Sequence, residues 1–109
     1  MRIFIFVFVW LWMACPALGQ TDEATRHAIE EMGWMTEQYP PFNYVDDEDG
    51  KLKGITVDVL MAMFKKVGVT LDPTDIEVLP WARGYKRVLE KPGSVLFSTT
   101  YTVERLQNF

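Results

Sequence analysis

The stretch from Gly54 to Gly68, GITVDVLMAMFKKVG, most restricts what this chain can become. Val57, Leu60, Met61, Phe64 and Val67 recur at i, i+3, i+4, i+7 and i+10, which is one face of an α-helix. Asp58 falls in the first turn and Lys65-Lys66 in the last, both favourable to the helix dipole. Gly68 supplies a C-terminal stop. A helix with one apolar face must lay that face on something, and the flanking segments offer a sheet. Gly33 to Glu37, GWMTE, alternates as a short strand, as does Ile76 to Leu79, IEVL, after the turn Asp72-Pro73-Thr74. Pro80 sits where a second helix can begin. In that helix Trp81, Tyr85, Val88 and Leu89 share a face, and Pro92-Gly93 ends it. Ser94 to Ser98, SVLFS, reads as a short apolar strand of the kind buried in a parallel sheet.

The order strand, helix, strand, helix, strand predicts an α/β fold, a βαβαβ unit with a parallel sheet. Ligands of open α/β sheets bind beyond the carboxyl ends of the strands. Here those ends are Gln38 to Phe42 (QYPPF), Leu79-Pro80-Trp81, and Phe97 to Thr100. Rings and hydroxyls gather there without a catalytic pair. The two prolines make QYPPF stiffer than a core-filling loop needs, which suits a rigid rim. Ser98, Thr99, Thr100 and Thr102 with Arg105 form an anion- or carboxylate-binding set. The same run also reads as a Thr-rich turn capping a helix, with Arg105 solvated. Trp81 reads as core or as pocket wall. Asp49-Gly50 signals a hairpin or loop. The acids from Asp46 to Asp49 lack the oxygen spacing of a calcium loop, so a solvated turn is expected.

The N-terminus reads differently. Arg2 precedes an apolar run from Ile3 to Met13, Pro16 breaks the run, and Ala17 and Gly19 are small residues at −3 and −1. This is the layout of a secretory signal peptide over residues 1–19, with cleavage between Gly19 and Gln20. Pro16 stops the run short of the roughly 20 apolar residues that a membrane-spanning helix needs, and an uncleaved anchor is the alternative reading. Cys15 raises a lipid anchor, although Trp12-Met13-Ala14 matches that signal poorly. Residues 20–32 read as a polar leader or frayed helix. Beyond Gly19 lie all 15 acids against 10 of the 11 bases, a net charge of −5. Nucleic acid is therefore not an expected partner. The absence of cysteine there rules out disulfides and thiol catalysis. The single His27 leaves little for histidine-based zinc or Ser-His-Asp chemistry. No cofactor and no metal are expected.

From Trp34 onward the chain resembles the start of the family 3 extracellular solute-binding proteins, the periplasmic receptors for polar amino acids. Four motifs in order carry the resemblance: TEQYPPF, GITVDVLMAMFKKVG, IEVLPWARGYKRVLE and FSTTYTVER. It implies that residues 33–109 are the N-terminal part of lobe 1 of a periplasmic-binding-protein-like receptor. Such receptors close two lobes on the ligand about a hinge; the second lobe is absent from this sequence. By position, Tyr39 matches the ring that stacks on the ligand, with Phe42 packed behind it. Trp81 matches a pocket wall, Ser98 and Thr100 match groups that bind the ligand's ammonium and carboxylate, and Arg105 matches the grip on the α-carboxylate. The implied function is binding of an amino acid or related carboxylate, for an ABC permease or a sensor in the inner membrane, without catalysis.

Three positions depart from the family pattern. Thr56 replaces the first acid of the helix opening, Phe64 is large, and EKPGSVLFS lacks the usual Asp-Gly. The same fold also serves cyclohexadienyl dehydratase-like secreted enzymes and the lobes associated with lytic transglycosylases. An enzyme would need an acid or base in the cleft, and Glu104 is the only carboxylate read as near it. An interaction protein presenting Lys65-Lys66 and Lys86-Arg87 has only ordinary solvated faces behind it.

Overall fold

The computed structural model describes residues 22–108, so the expected signal segment, Cys15 and the Gly19–Gln20 cleavage point lie outside the described residues. The elements are α1 (Glu23–Glu31), β1 (Gly33–Thr36), β2 (Tyr44–Val45), β3 (Leu52–Lys53), α2 (Ile55–Val67), β4 (Glu77–Val78), α3 (Trp81–Glu90) and β5 (Ser94–Leu96), with 3-10 turns at Pro73–Asp75 and Arg105–Gln107. β4, β1 and β5 form one sheet in that order. Both pairings are parallel, with Met35 beside Glu77 on one side and Leu96 on the other. This is the mixed α/β arrangement with a parallel sheet that the alternating pattern predicts. β2 and β3 pair antiparallel as a separate hairpin.

α2 lays its apolar face where the periodicity puts it. Val57, Leu60 and Phe64 are buried with Leu52, Val69 and Ile76, and Met61 and Val67 pack against them. Each fully buried side chain is worth about 1.5–3 kcal/mol. Gly68 ends the helix with a left-handed φ of 78°. Its N–H returns to the Lys65 carbonyl, and that of Val69 to the Phe64 carbonyl, so the last carbonyls are satisfied. Trp34 meets Phe64 edge-on, with ring centroids 4.8 Å apart.

Three sequence expectations change. Most of the polar leader is helix α1, docked on the body rather than frayed. The indole Nε1 of Trp34 donates to the Ile29 carbonyl at 3.0 Å. The Glu30 carboxylate accepts from the Thr70 N–H at 2.8 Å and from its hydroxyl at 2.9 Å. Those two donors hold Glu30 below the usual carboxylate range. Strand β5 is an edge strand with every residue half-buried, because β1 takes the middle of the three-stranded sheet. On α3 the buried position is Gly84, where a Cβ would stand 3.1 Å from Leu96, and Leu89 is 48% exposed. The helix therefore sits close to β5 through a missing side chain, and its face is rotated away from Leu89.

Candidate functional site

One residue ties the carboxyl ends of the three strands together. Thr36, the last residue of β1, is 0% exposed. Its carbonyl accepts the Leu79 N–H at 3.0 Å and its hydroxyl donates to the Phe97 carbonyl at 3.4 Å. The Phe97 N–H in turn donates to the Met35 carbonyl at 3.1 Å. The segments that follow β1, β4 and β5 therefore leave the sheet from one edge.

The segment after β1 is built into the body by its main chain. Tyr39 N–H donates to the Asn43 carbonyl at 2.6 Å, and Asn43 N–H returns to the Tyr39 carbonyl at 3.0 Å. Asn43 is 0% exposed, and its amide donates to the Glu37 carbonyl at 2.6 Å. The first turn of α2 holds the other end: Ile55 N–H reaches the Pro41 carbonyl and Thr56 N–H the Phe42 carbonyl, at 3.3 and 2.9 Å. The Thr56 hydroxyl lies 2.8 Å from that same Phe42 carbonyl and 3.2 Å from Asn43 Oδ1, sharing its proton between them. A carboxylate at position 56 would point an acceptor at the Phe42 carbonyl, whereas the Thr56 hydroxyl donates to it and closes the loop. Gly54 has φ 127°, and a Cβ there would stand 2.2 Å from the Phe42 carbonyl oxygen. Only glycine fits that approach.

The loop presents two rings. Tyr39 and Phe42 stack with centroids 5.5 Å apart and planes 17° from parallel. They are 52% and 41% exposed, so Phe42 shares the surface with Tyr39 rather than packing behind it.

The segment after β5 is built around Arg105. Its guanidinium lies 4.4 Å above the Trp81 ring and 6.0 Å from Tyr85, within cation–π range. Arg105 Nη1 donates to the Thr100 carbonyl at 2.7 Å, and its N–H to the Thr102 hydroxyl at 3.2 Å. No ion pair among the described residues involves it. Leu96, Thr99, Thr100, Thr102, Arg105 and Leu106 help line a pocket of about 320 Å³. Of the residues singled out in the sequence, Trp81, Thr100 and Arg105 thus come together. Ser98 is half-buried at the turn out of β5, with a left-handed φ of 65° that non-glycine residues adopt rarely. Tyr39 belongs to the other segment, paired with Phe42.

Sequence reasoning missed Glu37. It is half-buried and lines a second pocket, about 310 Å³, with Gln38, Val78, Leu79 and Pro80 at the ends of β1 and β4. Its place directly after the last residue of β1 was the available signal. Glu104, the carboxylate picked from the sequence, is exposed. The acidic run is a turn, as expected. Lys53 Nζ lies 2.7 Å from Asp46 and 2.8 Å from Asp49. That hydrogen bonding holds both aspartates below their usual range and pushes Lys53 above its own. No group of potential metal ligands occurs among the described residues.

A family model described as bacterial extracellular solute-binding proteins, family 3, matches residues 33–109. No curated protein and no solved structure matches the chain.

Proposed function

The chain belongs to the bacterial extracellular solute-binding proteins of family 3, and from that premise we propose that it binds an amino acid or related small carboxylate in the periplasm, for an ABC permease or a sensor in the inner membrane. The carrying observation is Arg105, a guanidinium with no acid partner among the described residues, braced on Trp81 beside a pocket bearing threonine hydroxyls. Its bond to the Thr100 carbonyl uses Nη1, and further donors of the planar fork have no hydrogen-bond acceptor among the described residues. A ligand carboxylate takes those donors. The Thr100 and Ser98 hydroxyls complete the head-group contacts, and Tyr39 stacks on the ligand from the rim.

The test is Arg105→Ala in the full-length protein, followed by calorimetry with amino acids. Binding is expected to fall at least about a hundredfold, as for loss of a bidentate charged hydrogen bond, with the circular dichroism spectrum unchanged. Unaltered affinity would sink the proposal.

A further inference from the structure

Helix α2 carries apolar side chains on its outer face as well as on its inner one. Val57, Leu60 and Phe64 go into the core, yet Ile55, Val59 and Met63 are each more than half exposed. A surface helix ordinarily turns polar and charged groups to water, and a contiguous apolar stripe left outside marks a contact surface. Ile55, Val59 and Met63 recur every four residues, so they form a single ridge along the helix. The neighbouring ridge is Asp58, Ala62 and Lys66, all exposed. It has an acid at one end, a base at the other and a small residue midway. Neither Asp58 nor Lys66 forms an ion pair among the described residues.

That second ridge is complementary to itself. Turned end for end about a two-fold axis at Ala62, a second copy brings its Lys66 to Asp58 and its Asp58 to Lys66. The same rotation sets Ala62 against Ala62, where small side chains let two helices approach closely, and lays the apolar ridges alongside each other. A two-fold contact needs one patch that matches its own copy in this way. For a partner of another kind, charges placed symmetrically about Ala62 would have no use. Each copy carries a net charge of −5 over residues 20–109, but α2 holds one acid and two lysines, so the contact does not bring the acidic excess together. We infer that α2 is a docking surface for a second copy of this chain, packed antiparallel through Ile55, Val59, Ala62 and Met63 and closed by two Asp58–Lys66 pairs. The Ile55 N–H is bonded to the Pro41 carbonyl, so the rim stands at the N-terminal end of α2. Antiparallel packing therefore puts the two rims at opposite ends of a contact about 20 Å long, and neither covers the other.

The experiment is sedimentation equilibrium of the full-length protein from about 1 to about 500 μM, a range that reaches the weak association expected of one helix face. The average mass is expected to rise from monomer towards dimer with concentration. Ala62→Gln keeps charge and helix propensity and should weaken the dimer about tenfold or more by forcing the helices apart. Asp58→Lys and Lys66→Asp should each weaken it by about the same factor, since both pairs are lost and like charges are opposed. Mixing those two variants should restore association, because each copy then offers the charge that the other lacks. Thermal midpoints should stay together across the variants. A monomer over the whole range overturns the inference. Peroxide oxidation of Met63 then distinguishes a stripe covered by another part of the full chain, where it is slow, from one left bare for a different partner, where it is fast. A dimer indifferent to all three substitutions overturns it too, because its contact lies elsewhere. Failure of the mixture to associate overturns it as well, because the two charges then do not meet across a two-fold axis.

Discussion

The rim from Glu37 to Asn43 and the arm from Ser98 to Asn108 leave the same edge of the sheet but are held in opposite ways. Main-chain hydrogen bonds join the rim to the first turn of α2, and the buried side chain of Asn43 fills its centre. The arm is held by side chains. Arg105 bridges Trp81 and the Thr100 carbonyl, and Asn108 reaches the Tyr85 hydroxyl at 3.3 Å. Tyr101 and Val103, both 74% exposed, add nothing to its burial. Local stability follows buried contacts and protected hydrogen bonds. The rim therefore shares the stability of the fold, whereas the arm is free to adjust around a ligand. A binding protein gains from both: a fixed ring against which a ligand is placed, and a charged group that settles on it.

The comparison breaks most readily at Gly54. Gly54→Ala drives a Cβ into the Phe42 carbonyl at a φ that alanine resists, so the loss should exceed about 3 kcal/mol in urea denaturation. A loss below about 1 kcal/mol would mean that the rim is not welded to α2. Asn43→Ala comes next. It strands the Glu37 carbonyl and leaves a small void, for about 1–3 kcal/mol, and the Tyr39 amide should lose hydrogen-exchange protection. The arm supplies the contrast: the Arg105→Ala variant that loses ligand should unfold within about 1 kcal/mol of the wild type.

The smallest effect is electrostatic and concerns the hairpin that Gln38 ties to the rim. Asp46 and Asp49 are held below their usual range by Lys53, then by main-chain N–H donors. A carboxylate with a depressed folded pKa stabilises the fold above its unfolded pKa. That contribution is lost as pH falls through the lower folded value. Carboxyl NMR titrations should place both midpoints below those of unstructured aspartates, and Lys53→Met should bring both back up. Midpoints unchanged by Lys53→Met would show that the cluster is only a solvated turn.

Much of the fold was legible because its signals are local. The α2 periodicity, the Gly68 stop and the positions of β1 and β4 each lie within a few residues and appear where the pattern puts them, although β1 buries Met35 and Thr36 in succession rather than alternating. Helix α1 was legible only as a leader or frayed helix, and its docking was not legible. Its own sequence is polar, and what docks it is Trp34 just beyond its end and Thr70, forty positions from Glu30. The α3 face was misread for a related reason: periodicity weighs side chains, and the contact there is the absence of one at Gly84.

By itself the sequence determined the elements, their order and the edge of the sheet at which ring and hydroxyl residues collect. Hydrophobic period and turn chemistry encode those features at short range. Only the tertiary structure decided that Asn43 is a buried post, that the Thr56 hydroxyl closes the loop, that Arg105 lies on Trp81, and that Glu37 lines a pocket. Each of these depends on which residues strand register and loop closure bring together, from 6 positions apart for Asn43 and Glu37 to 61 for Thr36 and Phe97. Local propensity carries no record of a partner at that distance.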